Sequence, residues 1–172
     1  METASSLLDA QPIAMVSSTE FARLYEQHYA AVYHTALRIT GNRADAEDAL
    51  QTVFLRILNQ GGRLDSADAP GAYLRRAAAN AAVDQLRRRY SHGEMPLENA
   101  SVHIVKEETA FLKEQLRRAL ASLEQGDAIL FLLRYVEGMS NGELAEMFGQ
   151  KKNHIAVRLH RIRQTLQAEM KR

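Results

Sequence analysis

Apolar side chains recur at three- and four-residue steps through most of the chain, the period of helices that turn one face inward. Phe21, Leu24, Tyr25, His28, Tyr29, Val32, Tyr33, Ala36 and Leu37 form the first such stripe, and its tyrosines are expected in the core. Gly41 and Asn42 end it. Asn42 is also placed to cap a second helix, with Asp45 in its first turn, where a carboxylate complements the helix dipole. That helix is expected to bury Ala46, Leu50, Val53, Phe54, Ile57 and Leu58 before meeting Gly61-Gly62. A polar loop from Arg63 to Ala69 leads to Pro70, which suits the first turn of a third helix. Tyr73, Leu74, Ala77, Ala81 and Leu86 are its expected inner positions, and its run of alanines permits close packing.

From Ser91 to about Val105 the period lapses among Gly93, Pro96 and scattered acids, which reads as a linker. Periodicity resumes with Phe111, Leu112, Leu116, Ala119, Leu120 and Leu123. Gly126-Asp127 is expected to open a shorter helix with Ile129, Leu130, Leu132, Leu133 and Val136, closed by Gly138. No alternation of period two lasts long enough for a strand. The pattern predicts an all-α protein of two small helical domains, 19–90 and 111–172, joined by a flexible acidic linker over 91–110. The leader, 1–18, is either disordered or partly removed by a start at Met15.

Composition narrows the classes. The chain has no Cys, so disulfides, thiolate metal sites and a thiol nucleophile are excluded. The leader lacks the basic start of a signal peptide, and no stretch approaches the ~20 apolar residues of a membrane helix. A cytoplasmic protein without membrane insertion is expected. No Gly-rich phosphate loop or nucleophile elbow is present, and His28/His34 and His154/His160 are six apart, off the i, i+4 spacing of helical zinc ligands. No catalytic residue, metal or cofactor is expected, nor an enzyme; His28 is expected at the edge of the core.

The net charge of +1 hides a division: residues 1–90 sum to 0, 91–110 to −3 and 111–172 to +4. After Gly149, seven Lys and Arg face only Glu169, and Arg75, Arg76, Arg87, Arg88 and Arg89 are opposed by Asp84 alone. Such patches suit a polyanion, or are solvated helix faces.

Further motifs separate those readings. Ser140-Asn141-Gly142-Glu143 has capping-box spacing. Ala145, Gly149 and Ile155 then fit a helix-turn-helix, with a small residue at the crossing, glycine in the turn and an apolar anchor in the second helix. That second helix is expected to bury Ile155, Leu159, Ile162, Leu166 and Met170. Its outer face and preceding turn carry Lys151, Lys152, Asn153, Ala156, Val157, Arg158, His160, Arg161 and Arg163. Lys152, Asn153, Ala156 and Val157 are candidates for base edges; Arg158, Arg161 and Arg163 are candidates for phosphates. In the first domain, Asp45, Glu47, Asp48, Gln51 and Phe54 lie near the start of the second helix. Tyr73, Arg76, Asn80, Asp84 and Arg87 share one flank of the third, a mixture able to hold a phosphate backbone and unstacked bases.

In this order the motifs resemble a bacterial RNA polymerase sigma factor of the sigma-70 class, in its extracytoplasmic-function (ECF) group. FARLYEQHYAAVYHTALRITGNRADAEDALQTVFLRI and PGAYLRRAAANAAVDQLRRR are similar to the family's region 2, and ALASLEQGDAILFLLRYVEGMSNGELAEMFG with the basic helix to region 4. The resemblance implies that Asp45, Glu47, Asp48, Gln51 and Phe54 dock on core RNA polymerase. It implies that Asp65, Ser66, Ala69, Tyr73, Arg76, Asn80, Asp84, Arg87 and Arg88 recognise and open the −10 element. The helix-turn-helix residues would read the −35 element of promoter DNA, and the acidic linker would thread toward the polymerase active centre. An anti-sigma factor is a further implied partner. Gln150, Ala156, Val157 and Tyr73 depart from the family's usual residues; Ala156 and Val157 suit thymine methyls or mark weak −35 discrimination. The alternatives are a stand-alone helix-turn-helix regulator and a helical protein-binding adaptor.

Overall fold

Seven helices make up nearly all of the described residues, 18–60, 70–91 and 104–171, of a computed structural model of the chain. They are α1 (Ser18–Thr40), α2 (Arg43–Asn59), α3 (Pro70–Ser91), α4 (Ile104–Ser122), α5 (Gln125–Tyr135), α6 (Asn141–Phe148) and α7 (Lys152–Glu169). No strand occurs among the described residues.

Helices α1, α2 and α3 pack on one another as the first domain. The turn between α1 and α2 follows from three residues. Gly41 takes φ +65°, the left-handed conformation that glycine reaches without a Cβ clash. Asn42 then accepts the amide of Asp45 through its side chain, 3.2 Å away, and so starts α2. Buried Thr40 donates its hydroxyl to the Ala36 carbonyl at 3.0 Å, which offsets its removal from water. In α3 the small side chains Ala78, Ala79, Ala81 and Ala82 are buried with Leu74, Val83 and Leu86, so the neighbouring helices approach its backbone closely.

Two tyrosines expected in the core are not there. Tyr25 and Tyr29 are 39% and 46% exposed, stacked on each other with centroids 5.5 Å apart. The buried residues of α1 are Val32, Thr35, Ala36, Ile39 and Thr40, all in its C-terminal half. Toward its N-terminus the contact thins to Phe54, which meets Phe21 and Tyr25 edge-on at 6.1 and 4.8 Å. Leu58 is also exposed, on the outer side of α2 with Leu55. Phe111 and Leu112, where the apolar period resumes, are exposed on α4; among its described side chains the buried ones are the later Ala119 and Leu120.

The second domain packs α4, α5, α6 and α7 around Leu130, Leu133, Leu144, Ile155, Ile162 and Leu166. Helix α4 begins at Ile104, inside the stretch expected to be linker, so Glu107 and Glu108 are helical. Helix α5 begins at Gln125 rather than at Gly126-Asp127, because the Glu124 carboxylate caps it by accepting the Gly126 amide at 3.2 Å. Met170 is half-buried at the end of the α7 stripe.

The two domains touch: α3 lies against α4 and α5. Tyr90 of α3 donates its hydroxyl to Glu114 of α4 at 2.7 Å, and burial with this acidic neighbour pushes the phenol up to about 12. Arg117 of α4 reaches back to the Ile39 carbonyl at 3.1 Å, and Arg38 of α1 pairs at 2.9 Å with Glu137, whose side chain is 5% exposed.

Candidate nucleic-acid interface

The helix-turn-helix is assembled by local bonds that its sequence specifies. Ser140 and Glu143 form both halves of a capping box: the Glu143 amide donates to the Ser140 hydroxyl at 3.2 Å, and the Ser140 amide to the Glu143 carboxylate at 2.8 Å. That backbone amide, and then the Ser140 hydroxyl, hold the Glu143 carboxyl below the usual carboxylate range. Helix α6 ends at Gly149 with φ +61°, and the Gln150 amide returns to the Ala145 carbonyl at 2.9 Å, closing the left-handed helix end. Ile155 is fully buried and anchors α7.

Outside that anchor the basic face is presented as expected from its spacing. Lys151, Lys152, Asn153, Ala156, Val157, His160, Arg161 and Arg163 are all exposed. Lys151 precedes the first turn of α7 without a side-chain cap, so the helix N-terminus keeps backbone donors directed outward beside two lysines. Arg158 departs from the group. It is half-buried and donates to Asp127 of α5 at 2.5 Å, with Glu124 at 3.5 Å, so its guanidinium serves the packing of α7 on α5.

The flank of α3 is drawn together but is already in use. Arg87 donates to the carbonyls of Ala121 and Leu123 at 3.3 and 2.5 Å, and to the side-chain oxygen of Gln125. The Gln125 amide donates in turn to Asn80 at 2.6 Å and Asp84 at 3.0 Å. Arg76 donates to the Met147 carbonyl at 3.0 Å and lies 4.6 Å over the Phe148 ring. Tyr73 is half-buried and Arg88 exposed. Asp65, Ser66 and Ala69 lie outside the described residues.

On α2 the acidic set divides. Glu47, Asp48 and Gln51 are exposed. Asp45 is turned to the end of α3, where it forms an ion pair with Arg89, which also donates to the Thr40 carbonyl at 3.2 Å. Phe54 is 4% exposed and supports Tyr25 from within. Sequence reasoning missed Leu55 and Leu58, which are 55% and 46% exposed and continue the outer stripe of Asp48 and Gln51 toward the C-terminus. Their i+4 and i+7 spacing from Gln51 is the signal that places them there.

Comparison with known proteins gives the site its family. Sequence models of Sigma-70 region 2 and Sigma-70 region 4 match residues 24–91 and 113–166. The chain is 30% identical over 175 aligned positions to the ECF RNA polymerase sigma factor SigE of Mycolicibacterium smegmatis, with 95% of this chain aligned and 66% of that protein's length spanned. It is 30% identical to the RNA polymerase sigma factor CarQ of Myxococcus xanthus, over 82% of this chain and 83% of CarQ. Among solved structures its fold is similar to CnrH in complex with the cytosolic domain of CnrY, with TM-score 0.53, 22% identity and 91% and 90% of the two chains covered. The sigma factor RpoE in complex with the anti-sigma factor NepR from Bartonella quintana is similar at TM-score 0.50 and 19% identity, covering 89% and 98%. Matched in both regions and in their order, the chain belongs to the sigma-70 family as an ECF RNA polymerase sigma factor.

Proposed function

We propose that the chain docks on core RNA polymerase through the outer face of α2, reads the −35 element with α7 and captures the −10 element with α3 and the loop before it. The observation that carries this reading is the exposed face of α7. Lys151, Lys152, Asn153, Ala156, Val157, His160, Arg161 and Arg163 project together behind a capped α6 and a glycine turn. A helix so presented suits the major groove, where base pairs are distinguishable. Lys152, Asn153, Ala156 and Val157 take base edges; Lys151, His160, Arg161 and Arg163 take the backbone.

The docking face on α2 consists of Glu47, Asp48 and Gln51 with Leu55 and Leu58 below them. The −10 element is read as single strand, because its bases must leave the stack at a cost of roughly a few kcal/mol each. Asp65, Ser66, Ala69, Tyr73, Arg76, Asn80, Asp84, Arg87 and Arg88 serve that step. No covalent chemistry is asked of the chain; the polymerase supplies it. Held at a fixed separation by the polymerase, two weak DNA sites act as one strong one. The chain works in the cytoplasm, and an anti-sigma factor covering these faces regulates it. No described helix is long and apolar enough to cross a membrane.

Run-off transcription with purified chain, bacterial core polymerase and a promoter library tests the reading. Specific transcripts that require the added chain are expected. Absence of transcripts together with absence of co-elution with core would point instead to a stand-alone DNA-binding regulator.

A further inference from the structure

The basic outer face of α7 holds an apolar side chain amid its cations. Val157 is 51% exposed, the one large apolar side chain of α6 and α7 left open to solvent among the described residues. It stands two positions beyond buried Ile155, about 200° further round the helix, and so points away from the core. Ala156 is exposed beside it, and Asn153, His160 and Arg161 lie one turn to either side. Branching at Cβ holds the two methyls of a helical valine in one favoured rotamer, so a contact on them costs little side-chain freedom.

In the major groove a base pair offers one apolar mark, the C5-methyl of thymine; the other marks are hydrogen-bond donors and acceptors. The polar groups around Val157 narrow the choice further. Asn153 carries the donor and acceptor that suit N7 and N6 of adenine, the partner of thymine. Between Lys152 and Arg163 the helix has no carboxylate to accept from the N4 amine of cytosine.

We propose that Val157, with Ala156 beside it, reads a 5-methylpyrimidine in the −35 element: thymine, or cytosine methylated at C5, whose methyl takes the same place in the groove. The inference rests on the reading of α7 as the −35 helix. It adds that promoter choice at this position turns on a methyl group rather than on a hydrogen bond. Where the base is cytosine, methylation of the promoter would convert a refused site into an accepted one.

The test uses holoenzyme, assembled from the full chain and bacterial core polymerase, at limiting concentration on the strongest promoter of the library. Each thymine of the −35 element, on either strand, is replaced in turn by uracil, which lacks only the methyl. At one position the parent should lose about fourfold in transcripts, the worth of burying one such group. Val157→Ala, an exposed change to a better helix former, should lose as much on the thymine template and no more on the uracil template. Arg161→Ala should weaken every template alike and keep the thymine-to-uracil ratio. At the same position 5-methylcytosine should exceed cytosine about fourfold with the parent and not with Val157→Ala. A gain for thymine over uracil alone assigns the site to thymine; a gain in both pairs assigns it to the methyl, whichever base bears it. Uracil tolerated at every position, with Arg161→Ala still weakening transcription, overturns the methyl contact and leaves α7 on the −35 element. A −35 element made only of G·C pairs overturns it too. A thymine-to-uracil ratio unchanged by Val157→Ala removes Val157 as the reader. No transcripts from any template overturn the proposed function and this inference with it.

Discussion

Arg158 of α7 donates to Asp127 of α5 at 2.5 Å, and this ion pair ties α7 to the helix beneath it. Arg158→Ala leaves Asp127 half-buried and unpaired, which costs roughly 1–3 kcal/mol of stability. Arg161→Ala, on the exposed side of the same helix, should change stability by less than about 0.5 kcal/mol. It should weaken binding to any duplex and lower the salt slope by about one. Denaturant unfolding and DNA titration across salt concentrations check the pair. Equal losses of stability would mean that Arg158 is not structural.

A similar division is expected on α2. Asp45 is committed to Arg89 at the end of α3, whereas Asp48 faces solvent. Asp45→Ala should lower the melting temperature, at a cost of roughly 1–3 kcal/mol for the partner left behind. Asp48→Arg should leave the melting temperature unchanged and abolish both co-elution with core polymerase and promoter-dependent transcription. Retained co-elution would remove Asp48 from the docking face.

Two groups give the stability a pH dependence of opposite sense. The Glu143 carboxyl is held low by the Ser140 amide and hydroxyl, so its contribution is complete above the ordinary value of 4.5. It is lost as the pH falls through the lowered folded value. Tyr90 is raised to about 12 from 10.0, so its contribution is complete below pH 10 and fades as the pH rises toward 12. Glu143→Gln should flatten the acid limb of a stability–pH profile, and Tyr90→Phe the alkaline limb. Unchanged limbs in these variants would assign the pH dependence elsewhere.

Glycine at two turns is required for different reasons. Gly149→Ala places a Cβ at φ +61° in open space, a cost of about 1–2 kcal/mol. At Gly41 the φ is +65° and a Cβ would also stand 2.2 Å from the Arg117 guanidinium. Gly41→Ala should therefore cost more and release Arg117 from the Ile39 carbonyl. Comparison of the two unfolding midpoints checks the order.

The helices were legible in the sequence because period and punctuation agreed: Asn42, Pro70, Ser140 and Gly149 each stand where an element starts or stops. The capping box and the Ala145–Gly149–Ile155 spacing were readable for the same reason, since their bonds lie within a few residues. What could not be read is set by neighbours distant in sequence. Tyr25 and Tyr29 follow the same period as Val32 and Ala36, and only tertiary packing leaves them outside. Likewise, nothing local in the sequence tells an arginine that will face DNA from one that will meet Asp127 or Gln125. The flank of α3 was visible as a set of residue types, but its occupant lies 38 to 45 positions further along the chain.

Several arginines in this fold bind main-chain carbonyls at the last turns of helices: Arg117 at the end of α1, Arg87 at the end of α4, Arg76 at the end of α6 and Arg89 on Thr40. Those carbonyls lack partners within their own helices, and the helix dipole makes them attractive to cations. A carbonyl is the same whatever side chain its residue bears. Mutational drift at Ile39, Ala121, Leu123 or Met147 therefore leaves the acceptor in place, whereas loss of an arginine removes the bond outright. The carbonyl contacts of Arg76, Arg87 and Arg117 across the domains are therefore encoded asymmetrically, with the arginines as their heritable part.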